Sequence, residues 1–212
     1  MISIDREKTY DVNNYSYKNY IVLTEEEKRL VWEWRNHPDI RKWMTNSDII
    51  PYDNHLKFIE GLKSRTDAYY WLVCKNDVPF ATLNFTHLNY SDSSGMPGFF
   101  LSPYELDLGE GFTFHYYYKL LAFYQMGFES FKGGYCEVGN TRAYIMGCFW
   151  GGEPVRYFEE NGRGFLEHCV TKERFEAIDK SHIIRDFAKF ARANKIVDWD
   201  TIVSLTKQKN CE

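Results

Sequence analysis

Apolar residues alternate along the chain between short runs of strand length, bounded by polar turns, and stretches at helical spacing. Tyr20-Ile-Val-Leu23 is an apolar run of strand length. Thr24 and Glu27 follow it in a capping-box pattern, and Leu30, Val31 and Trp34 then share one helical face. That helix is predicted to stop before Pro38, because the residue ahead of a proline avoids helical angles. Asp53 is the expected N-cap of a second helix carrying Leu56, Ile59 and Leu62. Residues 69–74 and 80–88 are strand runs on either side of Asn76-Asp77, which predicts a hairpin. Residues 91–95 are loop, and residues 98–101 a third strand of the same meander.

Phe112, Tyr116, Leu120 and Phe123 predict a helix from about Glu110 to about Phe128, with Gly133-Gly134 closing that unit. Residues 135–138 are then a strand, and a short helix starts at Thr141. Residues 154–158 and 164–170 form a hairpin around Asn161-Gly162. Ile183, Ile184, Phe187, Phe190 and Ala191 mark a last amphipathic helix. Residues 1–18, polar and rich in Tyr and Asn, are expected to be a loose arm or an edge strand.

Composition narrows the function classes. The 212 residues suffice for one domain with or without an extension, and no linker forces two. Hydrophobic residues make up 44%, so a sizeable core is available, with 16 Tyr and 16 Phe to fill it. Buried tyrosines need partners for their hydroxyls, so a minority are expected to line a wet cleft. Net charge is −4 and no basic stripe is interleaved with aromatics, which argues against nucleic acid as a partner. The five cysteines are odd in number, widely spaced and free of any C-x-x-C pair. No metal site or disulfide framework is indicated, and reduced thiols in a cytosolic protein are the simplest reading. The chain opens without an apolar leader, and no apolar run approaches ~18 residues, so a cytoplasmic protein that does not enter the membrane is expected.

One tripeptide suggests a ligand. Gly109, Glu110 and Gly111 stand between a strand run and a helix. Glycines let the backbone turn tightly against a ligand, and the helix start aims free N–H groups at an anion.

The order of elements resembles the GCN5-related N-acetyltransferase (GNAT) fold. The sharpest stretch is Trp32-Glu-Trp-Arg-Asn-His-Pro-Asp-Ile40, followed by His55-Leu-Lys-Phe-Ile59. It is similar to the branch that acetylates nucleotide-linked amino sugars in the pseudaminic-acid pathway. Ribosomal-protein N-terminal acetyltransferases share a similar Trp-Arg-Asn entry. The resemblance is good over roughly 20–90, fair over 91–152, and lost after about 165. It implies an α+β (α/β) GNAT fold, a central, mostly antiparallel mixed sheet flanked by helices. Residues 1–170 would form the acyltransferase domain, and 171–212 a helical extension packed on it. The last helix could instead meet a second subunit in a homodimer, though packing on its own domain is the expectation.

The resemblance also implies a co-substrate, acetyl-CoA, and places its contacts. The pyrophosphate pattern Q/R-x-x-G-x-G/A falls on Leu106-Asp-Leu-Gly-Glu-Gly111. Leu108, Gly109, Glu110 and Gly111 supply the backbone there, and Leu106 departs from the pattern. The backbone of Phe100 and Leu101 would face the acetyl group. Asn140, in Asn140-Thr-Arg-Ala143, would orient the pantetheine arm. The position of the family's acid tyrosine is Gly147. Tyr144, Cys148, another tyrosine or water would then protonate the thiolate, or catalysis is lost. His87 and Glu137 are the candidate bases, imidazole having the better-placed ordinary pKa. Arg35, Asn36, His37, Met44 and His55 would shape the pocket of a small-molecule amine acceptor. The implied activity is N-acetyl transfer to a primary amine of an amino-sugar nucleotide or similar small amine. A protein N-terminus or lysine as acceptor, and a non-catalytic acyl-CoA-binding protein, remain alternatives.

Overall fold

The polar N-terminal stretch closes on itself as a hairpin. Strands β1 (Tyr10–Val12) and β2 (Tyr15–Asn19) pair antiparallel around Asn13, whose φ of 55° makes the tight turn. Tyr10, Val12, Tyr15, Tyr17 and Asn19 all point inward. A segment polar in composition is thus a strand pair by alternation, with a buried residue, most often Tyr, at every second position of each strand. The computed structural model describes residues 1–104 and 109–209, and the chain divides into two units, Met1–Phe128 and Glu129–Glu212.

In the first unit, β3 (Tyr69–Lys75), β4 (Val78–Asn89) and β5 (Ser94–Leu101) extend the hairpin in the order β1-β2-β3-β4-β5, every pair antiparallel. Tyr20–Val22 is a 3-10 turn and not the expected strand. The Asn19 side chain accepts from the Ile21 N–H at 3.2 Å and turns the chain before a ladder can form. Helix α1 (Glu25–Asn36) starts on the full capping box of Thr24 and Glu27, a motif whose loss costs about 1 kcal/mol. A one-turn helix α2 (Pro38–Arg41) follows from His37. Helix α3 (Tyr52–Leu62) begins at Pro51, so Asp53 lies inside its first turn and is not the cap.

One face of this sheet packs under α1 and α3 through Tyr20, Leu23, Val31, Trp34, Ile59, Leu62 and Leu72. Burying each large apolar side chain there contributes roughly 1.5–3 kcal/mol. The opposite face carries an aromatic cluster of Tyr15, Phe80 and Phe99 against Phe114. Phe114 belongs to α4 (Glu110–Leu120), which continues as a π turn, Leu121–Gln125. The helical run stops at Gly127 (φ 77°), close to the expected end near Phe128.

In the second unit, β6 (Ser130–Glu137) contains Gly133 and Gly134 in mid-strand. They form a bulge, with Gly133 at φ 82° and the register shifting between Phe131 and Gly134. Helix α5 (Thr141–Phe149) follows. The hairpin of β7 (Glu153–Glu160) and β8 (Arg163–Thr171) turns at Asn161 and Gly162, both at positive φ. The sheet order is β6-β8-β7. Helices α6 (Lys172–Glu176), α7 (Ile183–Ala193) and α8 (Trp199–Lys209) complete the unit. The expected boundary at 170 falls within it: Lys172 donates its N–H to the Glu129 carbonyl, and Phe187 and Phe190 of α7 pack on Phe149 of α5. Among the described residues no helix is long and apolar enough to cross a membrane.

Candidate functional site

The β5–α4 junction places the glycine tripeptide. Phe100 pairs with Thr82 and Leu101 with Ala81 at the end of β5. By strand alternation Phe100 turns to the α1–α3 cluster and Leu101 to the α4 face. A β-carbon on Gly111 would stand 3.3 Å from Leu101 Cδ1, so the glycine lets α4 close on the strand. Gly109 occupies the N-cap position in the left-handed region (φ 91°) and offers no side-chain cap. Among the described residues a β-carbon there would meet nothing within 4 Å, so the turn has room on that side. The first helical bond is Thr113 N–H to Gly109 O, 3.1 Å. The N–H groups of Glu110, Gly111 and Phe112 precede it and have no acceptor within the helix. Leu106 and Leu108 lie outside the described residues.

The Glu110 side chain turns inward. It is buried, pairs with Lys75 of β3, and accepts from the Tyr15 hydroxyl of β2 at 3.3 Å. Burial, and then the Glu110 carboxylate, raise the Tyr15 pKa and keep that hydroxyl a donor.

The α1–α2 corner holds the expected acceptor residues. Arg35 donates through Nη2 to the Asn46 carbonyl at 2.6 Å, and its Nη1 is buried without a partner. Arg41 donates to the Ser47 carbonyl at 2.9 Å, with its Nε likewise unpartnered. Burial first, and the neighbouring Arg41 second, lower the Arg35 pKa. Two cations thus share one corner. Asn36 is engaged on both sides by Ile50, donating to its carbonyl and accepting from its N–H at 2.9 and 2.8 Å. His37 ends α1, begins α2, and accepts the Asp39 N–H on Nδ1 at 3.3 Å. Its ring lies 6.4 Å from that of Tyr104. Met44 follows α2, half-buried. His55 is buried in α3 between the rings of Tyr20 and Tyr52, with Nε2 unpartnered and its pKa lowered by burial.

His87 departs from its expected phase. Alternation with Leu83 and Phe85 would turn it inward, but it is exposed at φ 51°, where the β4–β5 register shifts between Thr86 and Asn89. Its Nδ1 sits 3.2 Å from Thr86 Oγ1.

The second unit holds the remaining candidates. Asn140 caps α5, its Oδ1 accepting the Ala143 N–H at 3.2 Å. Glu137, at the end of β6, is paired with Arg163, whose Nε donates at 2.8 Å. That guanidinium lowers the Glu137 pKa and so weakens the carboxylate as a base. Tyr144 lies in α5, one turn after Asn140. Burial, and then Cys148, raise its pKa, keeping the phenol protonated. Its ring packs 5.1 Å from Trp199 of α8 and 5.7 Å from His168 of β8. His168 Nε2 is buried without a partner, and burial pushes its pKa down to about 4. Gly147, at the usual acid position, has open space where a side chain would begin.

Four residues in these surroundings escape a sequence reading: Lys75, Arg41, His168 and Trp199. Lys75 and His168 stand in strand runs that read only as hairpin. Arg41 lies past the predicted helix end, and Trp199 sits beyond the reach of the family resemblance.

No protein-family model matches the sequence. A 71-residue stretch is 32% identical to Acetyltransferase PseH of Campylobacter jejuni, covering 34% of this chain and 45% of that protein. The match therefore spans about half the length of this curated relative. The structure superposes on that of C. jejuni N-acetyltransferase PseH in complex with acetyl coenzyme A with a TM-score of 0.57 at 18% identity, over 74% of this chain and 99% of the other. Spermidine N-acetyltransferase from Vibrio cholerae, in complex with CoA and spermine, superposes with a TM-score of 0.67 at 12% identity, over 78% and 99%. Likeness at such identities is one of fold, and the chain is an α+β protein of the GNAT fold. Within that class, a stretch of its sequence is similar to PseH.

Proposed function

We propose that the protein is an acetyl-CoA-dependent N-acetyltransferase acting on the primary amine of an amino-sugar nucleotide or a similar small amine. The observation that carries this is the open Gly109 turn. In a GNAT-fold chain it leaves the first N–H groups of α4 without an acceptor in the helix or a side-chain cap among the described residues, at the place where the family binds pyrophosphate. The residues fit that group: Gly109 is unobstructed, and Gly111 brings the helix start against the end of β5. PseH, the matched relative, has been crystallised with acetyl-CoA.

Acetyl-CoA supplies an acyl group activated as a thioester. The backbone at Phe100 and Leu101 would donate to the carbonyl oxygen as charge develops on it. Attack forms the C–N bond and expels the thiolate. The ammonium proton leaves to water or a base, and an acid protonates the sulfur. Tyr144 is the candidate acid on its place in α5, one turn after Asn140; burial keeps the phenol protonated and also makes it a weaker acid. For the base, His87 is exposed and Glu137 is tied to Arg163, so a water chain fits the geometry better than either. Asn140 Nδ2 remains for a pantetheine carbonyl while Oδ1 serves the cap. Arg35 and its neighbour Arg41, whose unpartnered N–H groups meet no carboxylate among the described residues, suit an acceptor carrying phosphate. On this reading residues 1–170 form the acyltransferase domain and 171–212 its helical extension.

Thiol release from acetyl-CoA, measured against a panel of amino-sugar nucleotides, polyamines and peptides, tests the proposal. Turnover with an amino-sugar nucleotide supports it, and turnover with peptides alone moves the acceptor to a protein amine. Silence across the panel with CoA still bound favours the non-catalytic alternative, which Gly147 at the acid position already suggests. Absence of CoA binding removes the reading.

A further inference from the structure

We propose that Lys75 is a positioning residue for the phosphate turn, acting through Glu110 with Tyr15. This rests on the CoA reading of that turn. Tyr15 and Lys75 are directly opposed partners across β2 and β3, so their side chains leave the sheet on the same face, towards α4. Glu110 is the first residue of α4, and its carboxylate reaches down to both.

The arrangement resolves a conflict at the helix end. An acid in the first turn is favoured by the helix dipole, but there it competes with an anionic ligand for the same N–H groups. Here the acid is turned away from those groups. Its carboxylate meets an ammonium and a phenol beneath the helix, and the burial of its charge is compensated by Lys75. The first-turn N–H groups are thereby left without an acceptor in the Glu110 side chain, beside a Gly109 whose β-carbon position is clear among the described residues. Without the Lys75 charge only the Tyr15 hydroxyl, at 3.3 Å, still holds Glu110 beneath the helix; the first-turn N–H groups then compete for its carboxylate, and the side chain becomes an internal competitor of phosphate.

The signature is a sign pattern across four variants, read by calorimetric titration with CoA. Lys75→Met is expected to weaken CoA binding about tenfold. Lys75→Arg keeps the cation and stays within about threefold of the parent protein. Glu110→Gln removes the competing charge and binds CoA as well as the parent or better. The double variant Lys75→Met/Glu110→Gln recovers most of the loss of Lys75→Met, although it lacks both members of the pair. A purely structural pair predicts the opposite order, with the double variant no better than the single. Should Lys75→Met not fold, the charge-free double variant and Lys75→Arg still decide the matter, because a double variant tenfold weaker than the parent overturns the proposal. Equal CoA affinity in Lys75→Met and the parent overturns it as well. A parent protein that binds no CoA overturns the functional reading, and this inference with it.

Discussion

Helices α4 and α5 both leave a strand through a turn containing glycine, yet their first turns are finished differently. At α5 the Asn140 side chain accepts the Ala143 N–H, and the helix end is satisfied from within. At α4 the cap position is a left-handed glycine with nothing to offer, and the acid that follows is held under the helix by Lys75 and Tyr15. The same element order thus yields one closed helix end and one open one. The closed end sets the helix that carries Tyr144. The open end leaves donors for a phosphate, and in the GNAT fold the cofactor's diphosphate is bound by that turn. On the proposed function, chemistry and anchoring fall on different helices, and substitutions can address them one at a time.

The largest effect is expected at the open end. Gly109→Glu should abolish measurable CoA binding, a loss of at least about 100-fold by calorimetry. A carboxylate enters beside the phosphate, and a non-glycine residue must hold φ near 91°, which costs roughly 1–3 kcal/mol. Gly109→Asn separates the two causes, since Asn tolerates the left-handed region and brings no charge. It should lose only a few-fold. If Gly109→Glu binds CoA normally, the turn is a helix entry and not a phosphate cradle.

A smaller effect is expected at the closed end, and in rate only. Tyr144→Phe should lower kcat roughly 10²-fold, the lower range for loss of a general acid, with CoA affinity within about twofold of the parent. Cys148→Ala, removing the thiol beside that hydroxyl, should leave most of the rate. The reverse outcome, with Cys148 essential and Tyr144 dispensable, would make the thiol the proton donor. Affinity falling in step with rate would mean that α5 also anchors the cofactor, and the contrast between the two helices would disappear.

Legibility in the sequence follows the range of the interaction that decides each feature. The capping box of α1, the Asn161-Gly162 hairpin and the apolar face of α7 are set by residues a few positions apart, and they were readable. Tyr20–Val22 was not, because the Asn19 side chain outcompetes the ladder for one N–H. Gly133-Gly134 signals a break in any local reading, and only pairing with β8 turns it into a bulge. His87 stands out of phase with Leu83 and Phe85 because the β4–β5 register shifts there, and that shift is invisible in β4 alone. The glycine turn was visible as a motif, while the condition that keeps it open was not. Lys75 and Glu110 are 35 positions apart, and only the sheet brings them together. Trp199 reached no motif at all, and α8 is known only from the fold.

The finest test of the comparison is at Asn140, where capping and ligand contact coincide in one side chain. The cap uses the carbonyl oxygen, so a pantetheine contact must come from Nδ2. Asp keeps the acceptor and removes the donor, and Ala removes both. Asn140→Ala should cost about 1 kcal/mol of stability, a drop in Tm of ~2–4 °C for a chain of this size. Asn140→Asp should hold its Tm, because Asp caps as well as Asn and its charge suits a helix start. If Nδ2 binds the cofactor, both variants raise the KM for acetyl-CoA several-fold, and the Asp variant does so with its stability intact. If Asn140→Asp leaves KM unchanged, Asn140 is a cap alone. The closed helix end would then be closed to the cofactor as well, and the anchoring would rest entirely on the open turn at Gly109.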